Sequence, residues 1–209
     1  MSQPSFSLEQ DLSATYSVIA GIDEVGRGAL AGPIVAAAVV FSDYDEVIHR
    51  LSEVEDSKKI PHNKHRELAD LVKKEAKVWA VGVISVAEIN KFGIGAANVM
   101  AFERALSQIP NADFVLIDGR RFRGFPYKYR CVEKGESISI SIAAASIVAK
   151  DFRDTLMKDL HKDFPKYGFD TNVGYGCQKH YDALKNIGPS IHHRTQFVSG
   201  IIDEPVSLF

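Results

Sequence analysis

The sequence predicts an α/β domain on a mixed sheet, and three observations carry that prediction. Short apolar runs of strand length alternate with longer stretches whose apolar residues recur at helical spacing. Two of the apolar runs end in acids, Asp23-Glu24 and Asp118. The 209 residues, 45% hydrophobic and 25% charged, suffice for one well-filled core and are short for two.

In chain order, residues 17–22 are apolar and β-branched enough for a buried strand, which runs into Asp23-Glu24-Val25-Gly26-Arg27-Gly28, where a glycine-rich turn should follow. The run PIVAAAVVF at 33–41 predicts a second strand joined to the first through that turn, so the two acids should sit where strand meets turn. Between 61 and 77, Leu68, Leu71 and Val72 fall at helical spacing, and residues 79–85 (WAVGVIS) predict a third strand. A second helix over 96–108 places Val99, Phe102 and Leu106 on one face, with Pro110 just beyond it. The strand 113–118 again ends in an acid followed by Gly119. A long helix over 143–164 sets Val148, Phe152, Leu156 and Leu160 four apart as a core-facing stripe, with Asp154 and Lys158 placed to pair on its outer face. The Gly-, Pro-, His- and Tyr-rich remainder shows one short helical piece near 180–186, and the helical C-terminal third is expected beside the sheet.

Composition excludes several classes. No apolar run approaches the roughly 20 residues needed to span a bilayer, and residues 1–17 lack a basic segment followed by an apolar one, so a soluble cytoplasmic protein is expected. Cys131 and Cys177 form no C-x-x-C pair and read as isolated thiols. A net charge of −2 argues against whole-surface attraction to nucleic acid but leaves room for a local basic groove. Lys58-Lys59 and the stretch Arg120, Arg121, Arg123, Lys128, Arg130, interleaved with Phe122, Phe125, Tyr127 and Tyr129, are the candidates; a solvated loop or hairpin is the plain alternative.

The acids are the best lead. Carboxylates beside apolar strands must reach solvent or find a partner, and two unit charges about 4 Å apart repel by roughly 4 kcal/mol at an effective dielectric near 20. If the strands ending in Asp23-Glu24 and Asp118 are parallel neighbours, both ends fall on one sheet edge. An oxygen-only cluster selects Mg²⁺ or Mn²⁺ over zinc, and that chemistry points at phosphates. Gly26, Gly28 and Gly32 also spell G-x-G-x-x-x-G, but a dinucleotide pyrophosphate would meet Asp23 and Glu24, and Pro33 opens a strand-like run where that fold needs a helix.

Beyond generic chemistry, GIDEVGRGALAGP at 21–33, DSKK at 56–59, VLIDG at 115–119, KGES at 134–137 and AASIVAKDFRD at 144–154 occur together and in order, followed by Tyr167-Gly168-Phe169, Gly174-Tyr175 and His193-Arg194. This combination resembles ribonuclease HII over nearly the whole chain after an N-terminal extension at 1–16. The resemblance implies one ribonuclease H-like domain over 1–209, with a mixed central sheet flanked by helices and a C-terminal, substrate-contacting segment from about 165 to 209. It implies a monomeric endonuclease that cuts the RNA strand of RNA–DNA hybrids and incises 5′ of ribonucleotides embedded in duplex DNA, leaving 3′-hydroxyl and 5′-phosphate ends. It further implies two divalent ions, Mg²⁺ or Mn²⁺, held by Asp23, Glu24, Asp118 and Glu136, the last standing where the family usually has aspartate. Gly26, Arg27 and Gly28 take the family's role of reading the ribose 2′-hydroxyl, the group that distinguishes RNA from DNA. Tyr175 takes the sugar-packing role, and Lys58, Lys59 and Lys150 are assigned to phosphates. Arg27 and the short N-terminus favour HII over the related HIII enzymes. Two rivals stay open: another nuclease of this fold, and a binding module in which the basic aromatic stretch does the work. His192 and His193 are read as structural or phosphate-contacting ahead of acid–base catalysis.

Overall fold

The computed structural model describes residues 3–54, 60–61, 64–119 and 124–202. Five strands, β1 (Ile19–Val25), β2 (Ile34–Val40), β3 (Val78–Ile84), β4 (Phe114–Asp118) and β5 (Tyr129–Val132), form one mixed sheet in the order β3-β2-β1-β4-β5. The β3-β2-β1 half is antiparallel; β4 runs parallel to β1, and β5 parallel to β4. Around it lie α1 (Ser7–Ser13), α2 (Tyr44–Arg50), α3 (His65–Glu75), α4 (Val86–Phe92), α5 (Ile94–Leu106), α6 (Ile140–Asp163), α7 (Phe169–Asn172), α8 (Gln178–Ile187) and α9 (Thr195–Ile202).

β2 reads as one unbroken apolar run because both faces of the sheet are covered. Its odd residues Val35, Ala37 and Val39 join a core with α3 and α6; Ile34, Ala36, Ala38 and Val40 join another with α5. Each large apolar side chain removed from water there contributes about 1.5–3 kcal/mol. Small residues bring α6 close: a Cβ on Gly21 would stand 2.2 Å from the carbonyl carbon of Ser141, so glycine is required where the first turn of α6 crosses β1. That turn is capped by Ser139, whose Oγ accepts from the Ile142 N–H at 3.2 Å, and by buried Glu9 of α1, which accepts from the Ser141 N–H at 3.2 Å.

Several expectations need correction. β1 runs Ile19–Val25 where 17–22 was expected, so Asp23, paired to Ala37, and Glu24, paired to Ala36, fall among its last three residues. On α6, Val148 is buried but Phe152, Leu156 and Leu160 are only half-buried; Ala149, Arg153 and Met157 form the deeper line. Asp154 pairs with Lys150 at 2.9 Å and not with Lys158. In the basic aromatic stretch, Phe125 is buried and Tyr127 and Tyr129 pack with it on the α5 side of the sheet, each ring centroid 5.4 Å away. Those rings serve the core. Arg120, Arg121, Phe122 and Arg123 lie outside the described residues, as do Lys58 and Lys59. Among the described residues no helix is long and apolar enough to cross a membrane.

Candidate active site

The parallel pairing of Ile22 with Ile117 makes Asp23 and Asp118 the next residues on neighbouring strands. Glu136 arrives from a single 3₁₀ turn, Gly135–Ser137, immediately before α6. Carboxylate oxygens of Asp23, Asp118 and Glu136 all lie within 4.8 Å of one another; Asp23 and Glu136 are buried and Asp118 partly so. Each acid is oriented by a donor. The Gly135 N–H donates to Asp118 Oδ1 at 2.6 Å, Ser146 Oγ to Glu136 Oε2 at 2.8 Å, and the Glu24 N–H to Asp23 Oδ1 at 2.8 Å.

Glu24 follows Asp23 on the strand and therefore faces the other side of the sheet, toward α5. There it lies 3.9 Å from Arg27 and beside Asn98, which is buried on α5 with neither amide atom in strict hydrogen-bond geometry. Asn98 acts on Glu24 as a nearby dipole rather than a formed hydrogen bond. Burial raises the Glu24 carboxyl above its ordinary value, and Arg27 and Asn98 oppose that rise. The Asp23 carboxyl is pushed well above the ordinary range, first by burial and then by the charges of Glu24, Glu136 and Asp118. A divalent cation would offset that repulsion and favour the charged carboxylates despite their burial. The donor set is oxygen only, which fits Mg²⁺ or Mn²⁺.

These residues border a cavity of about 240 Å³ lined by Asp23, Glu24, Gly26, Arg27, Gly28, Glu136, Ser146, Lys150 and Tyr175, with Val25. The Gly26 N–H donates to the Tyr175 hydroxyl oxygen at 3.1 Å, and Tyr175 is 37% exposed, so a ligand can reach it. Gly26 has a φ of 90°, and a Cβ there would fall 2.2 Å from Arg153 Nε; Arg27 and Gly28 are exposed. A larger cavity of about 540 Å³ lies elsewhere, among Val83, Val86, Leu156 and Leu160. Asp159, Asp163 and His192 also line it, but among the described residues no metal-capable group converges there, so the smaller, polar cavity is the candidate site.

Thus eight expected positions, Asp23, Glu24, Gly26, Arg27, Gly28, Glu136, Lys150 and Tyr175, line one cavity, and Asp118 joins through the carboxylate cluster. Four further residues escaped sequence reasoning. Asn98 carried a faint signal, a polar side chain four before Phe102 and eight before Leu106 on an apolar face. Ser146, Arg153 and Arg194 stand inside motifs quoted for the resemblance but drew no role, because which face of a helix or loop meets the sheet is a tertiary matter. His193 is buried, with Nδ1 accepting from the Ser190 N–H at 2.9 Å and Nε2 3.0 Å from His180 Nε2. Both of its nitrogens are engaged inside the fold, as the structural reading expects. His192 packs edge-on against Phe164 at 4.9 Å.

Comparison with known proteins shows the family of the chain. The family described as ribonuclease HII matches residues 20–199. A ribonuclease HII of Ehrlichia chaffeensis is 42% identical over 205 residues, spanning 95% of this chain and 97% of that one. One of Wolbachia sp. subsp. Brugia malayi is 43% identical over 198 residues, 94% of each chain. Among solved structures, the RNase HII in a PCNA complex from Archaeoglobus fulgidus superposes with a TM-score of 0.74 at 23% identity, covering 86% of this chain and 94% of that chain. A Bst-RNase HIII in complex with Mn²⁺ does so with a TM-score of 0.65 at 21% identity, over 96% of this chain and 74% of that chain. At those identities the structures speak for the fold alone, a mixed five-stranded α/β fold shared with ribonucleases HII and HIII.

Proposed function

This chain belongs to the ribonuclease HII family, and on that premise we propose that it is a metal-dependent endonuclease that hydrolyses the RNA strand of RNA–DNA hybrids and incises 5′ of ribonucleotides embedded in duplex DNA. The observation that carries the reading is the convergence of Asp23, Asp118 and Glu136 within 4.8 Å beside a cavity that also holds the Gly26-Arg27-Gly28 turn and Tyr175.

In this reading Asp23, Glu24, Asp118 and Glu136 hold two Mg²⁺ or Mn²⁺ ions, a choice supported by the oxygen-only donor set and by the Mn²⁺ complex of the Bst-RNase HIII. When bound, such ions lower the pKa of a coordinated water and stabilise the leaving oxygen of a phosphodiester. The protein supplies the rest. Ser146 holds the Glu136 carboxylate and the Gly135 amide that of Asp118, so the acids are aligned before any ligand arrives. The exposed backbone at Arg27 and Gly28 offers donors and acceptors to a ribose 2′-hydroxyl, and the Tyr175 ring stands opposite to pack on the sugar. Lys150, on the cavity wall, faces a phosphate, and Lys58 and Lys59 are assigned the same role. Water attacks the phosphorus, and the departing sugar oxygen leaves as a 3′-hydroxyl, with the 5′-phosphate on the other product. We place this activity in one catalytic unit over 1–209 whose segment from about 165 contacts substrate, acting as a cytoplasmic monomer.

The test is a duplex carrying one ribonucleotide, incubated in Mg²⁺, in Mn²⁺ and with chelator. Incision 5′ of the ribonucleotide, abolished by chelation, is expected. Cutting of an all-DNA duplex with the ribonucleotide left intact would overturn the reading in favour of a DNA-strand nuclease.

A further inference from the structure

Two arginines lie wholly inside the protein, Arg153 on α6 and Arg194 just before α9, each with 0% exposure. Among the described residues neither guanidinium has a carboxylate within ion-pair distance, and nearby Asp154 is already held by Lys150 at 2.9 Å. Burying an unpaired cation is costly unless every donor is satisfied. Here backbone carbonyls accept three hydrogen bonds from each guanidinium, one from each of its nitrogens. Arg153 donates from Nε to Pro33 O at 2.9 Å, from Nη2 to Ala31 O at 3.0 Å and from Nη1 to Val173 O at 2.8 Å. Arg194 donates from Nη1 to Arg27 O at 2.9 Å and from Nε and Nη2 to Gly32 O at 3.1 and 2.9 Å.

The pattern of acceptors matters more than their number. All but one lie on a single loop, residues 27–33, which begins with the central residue of the Gly26-Arg27-Gly28 turn. The exception, Val173 O, stands two residues before Tyr175, and the Arg153 guanidinium carbon lies 5.3 Å from the Tyr175 ring centroid. Backbone bonds brace the same joint: the Leu30 and Ala31 N–H groups donate to Gly174 O at 2.8 and 3.1 Å, and the Gly32 N–H to His192 O at 2.8 Å. Gly26 is bare on the side facing Arg153 Nε, leaving room for the guanidinium plane. Lysine's three donors share one nitrogen, so it cannot keep all the bonds that a guanidinium makes from three separate nitrogens.

We propose that Arg153 and Arg194 are positioning residues for ribonucleotide recognition, two buried guanidinium forks that fix the Gly26-Arg27-Gly28 turn and Tyr175 relative to each other before substrate binds. This rests on the function proposed above. Neither arginine reaches the carboxylate cluster through any of its hydrogen bonds, so their loss acts on recognition and leaves metal binding in place.

Arg153→Lys and Arg194→Lys, which keep the charge and remove the fork, are compared with the unaltered protein well below their melting temperatures. On the single-ribonucleotide duplex, kcat falls about 10- to 100-fold, the scale of a misplaced reacting group. The rise in melting temperature on adding Mn²⁺ is unchanged, and affinity for an all-DNA duplex shifts by no more than about threefold. A variant that melts lower yet keeps kcat on the ribonucleotide substrate overturns the proposal, because a merely structural staple would do that. If the variants do not fold, hydrogen exchange on the unaltered, substrate-free protein decides: peptides spanning 29–33 and 173–176 must be protected before substrate is added, and free exchange there overturns the proposal. Failure of the unaltered protein to incise the ribonucleotide duplex would instead defeat the functional reading, while the exchange result still reports whether the turn is preformed.

Discussion

Two groups of like charge flank the Gly26-Arg27-Gly28 turn, and they are handled in opposite ways. On one side Asp23, Asp118 and Glu136 crowd within 4.8 Å of one another. On the other, Arg153 and Arg194 sit deeper still, and burial followed by the neighbouring Arg153 charge brings the Arg194 guanidinium down to about 10. The guanidinium donors are answered inside the fold by carbonyls, whereas the carboxylates keep mutual repulsion that burial makes worse. Charge answered by carbonyls therefore marks the scaffold, and carboxylates gathered against their own repulsion mark where a ligand belongs. His180 and His193, behind Tyr175, belong with the satisfied group. Ser190 donates its N–H to His193 Nδ1, so the His193 proton is on Nε2, it donates to His180 Nε2, and His180 Nδ1–H donates to Tyr175 O at 2.9 Å.

The contrast breaks most visibly at Asp118. Asp118→Asn should lower single-turnover cleavage by about a thousandfold or more while hybrid binding, read by fluorescence anisotropy, persists; full activity would remove Asp118 from the site.

The next largest effect separates the two groups by the sign of their pH dependence. Burial and the neighbouring His180 bring His193 down to about 4, below its unfolded value near 6.5, so the unfolded chain binds the extra proton. Its contribution is present above about pH 6.5 and is lost as pH falls toward 4, roughly 3 kcal/mol at the most. Urea denaturation at pH 7 and pH 4.5 should show that loss, and His193→Gln should flatten the slope. Asp23 acts in the opposite sense: its raised carboxyl value makes metal-free stability fall as pH rises through the folded-state value.

Ser146→Ala removes the donor to Glu136 and should weaken Mn²⁺ binding by about 10- to 100-fold in calorimetry, with little change in the chelated protein's melting temperature. An unchanged Mn²⁺ affinity would show that Glu136 needs no such support. Smallest in size is Asp23→Asn. In chelator it should melt a few degrees higher, at about 2–4 °C per kcal/mol for a chain of this length, and it should lose the stabilisation that Mn²⁺ gives the unaltered protein. A lower melting temperature in chelator would mean that the acid cluster is not strained without metal.

What was legible in the sequence follows physical range. β2 announced itself because both its faces are buried, and α3, α5 and α6 because their periodicity runs for several turns. α2 and α4 span seven residues each, too short for a repeat to emerge, although Ser85 and Glu88 form a capping box that was there to be seen. β5 is a four-residue edge strand, half-exposed, whose Tyr129 and Arg130 read equally well as hairpin.

By itself the sequence determined the kind of chemistry: adjacent acids next to apolar runs, glycines beside them, no histidine or thiol within those motifs, and a string of motifs shared with ribonuclease HII. Only the tertiary structure decided who meets whom. It set Asp118 beside Asp23 through a parallel pairing, brought Glu136 in from a turn ahead of α6, turned Glu24 to the opposite face, and sent Arg153 and Arg194 inward. The reason is that a residue's type and neighbours along the chain fix what it can bind, but its burial, and so the cost or use of its charge, depends on elements more than a hundred residues away.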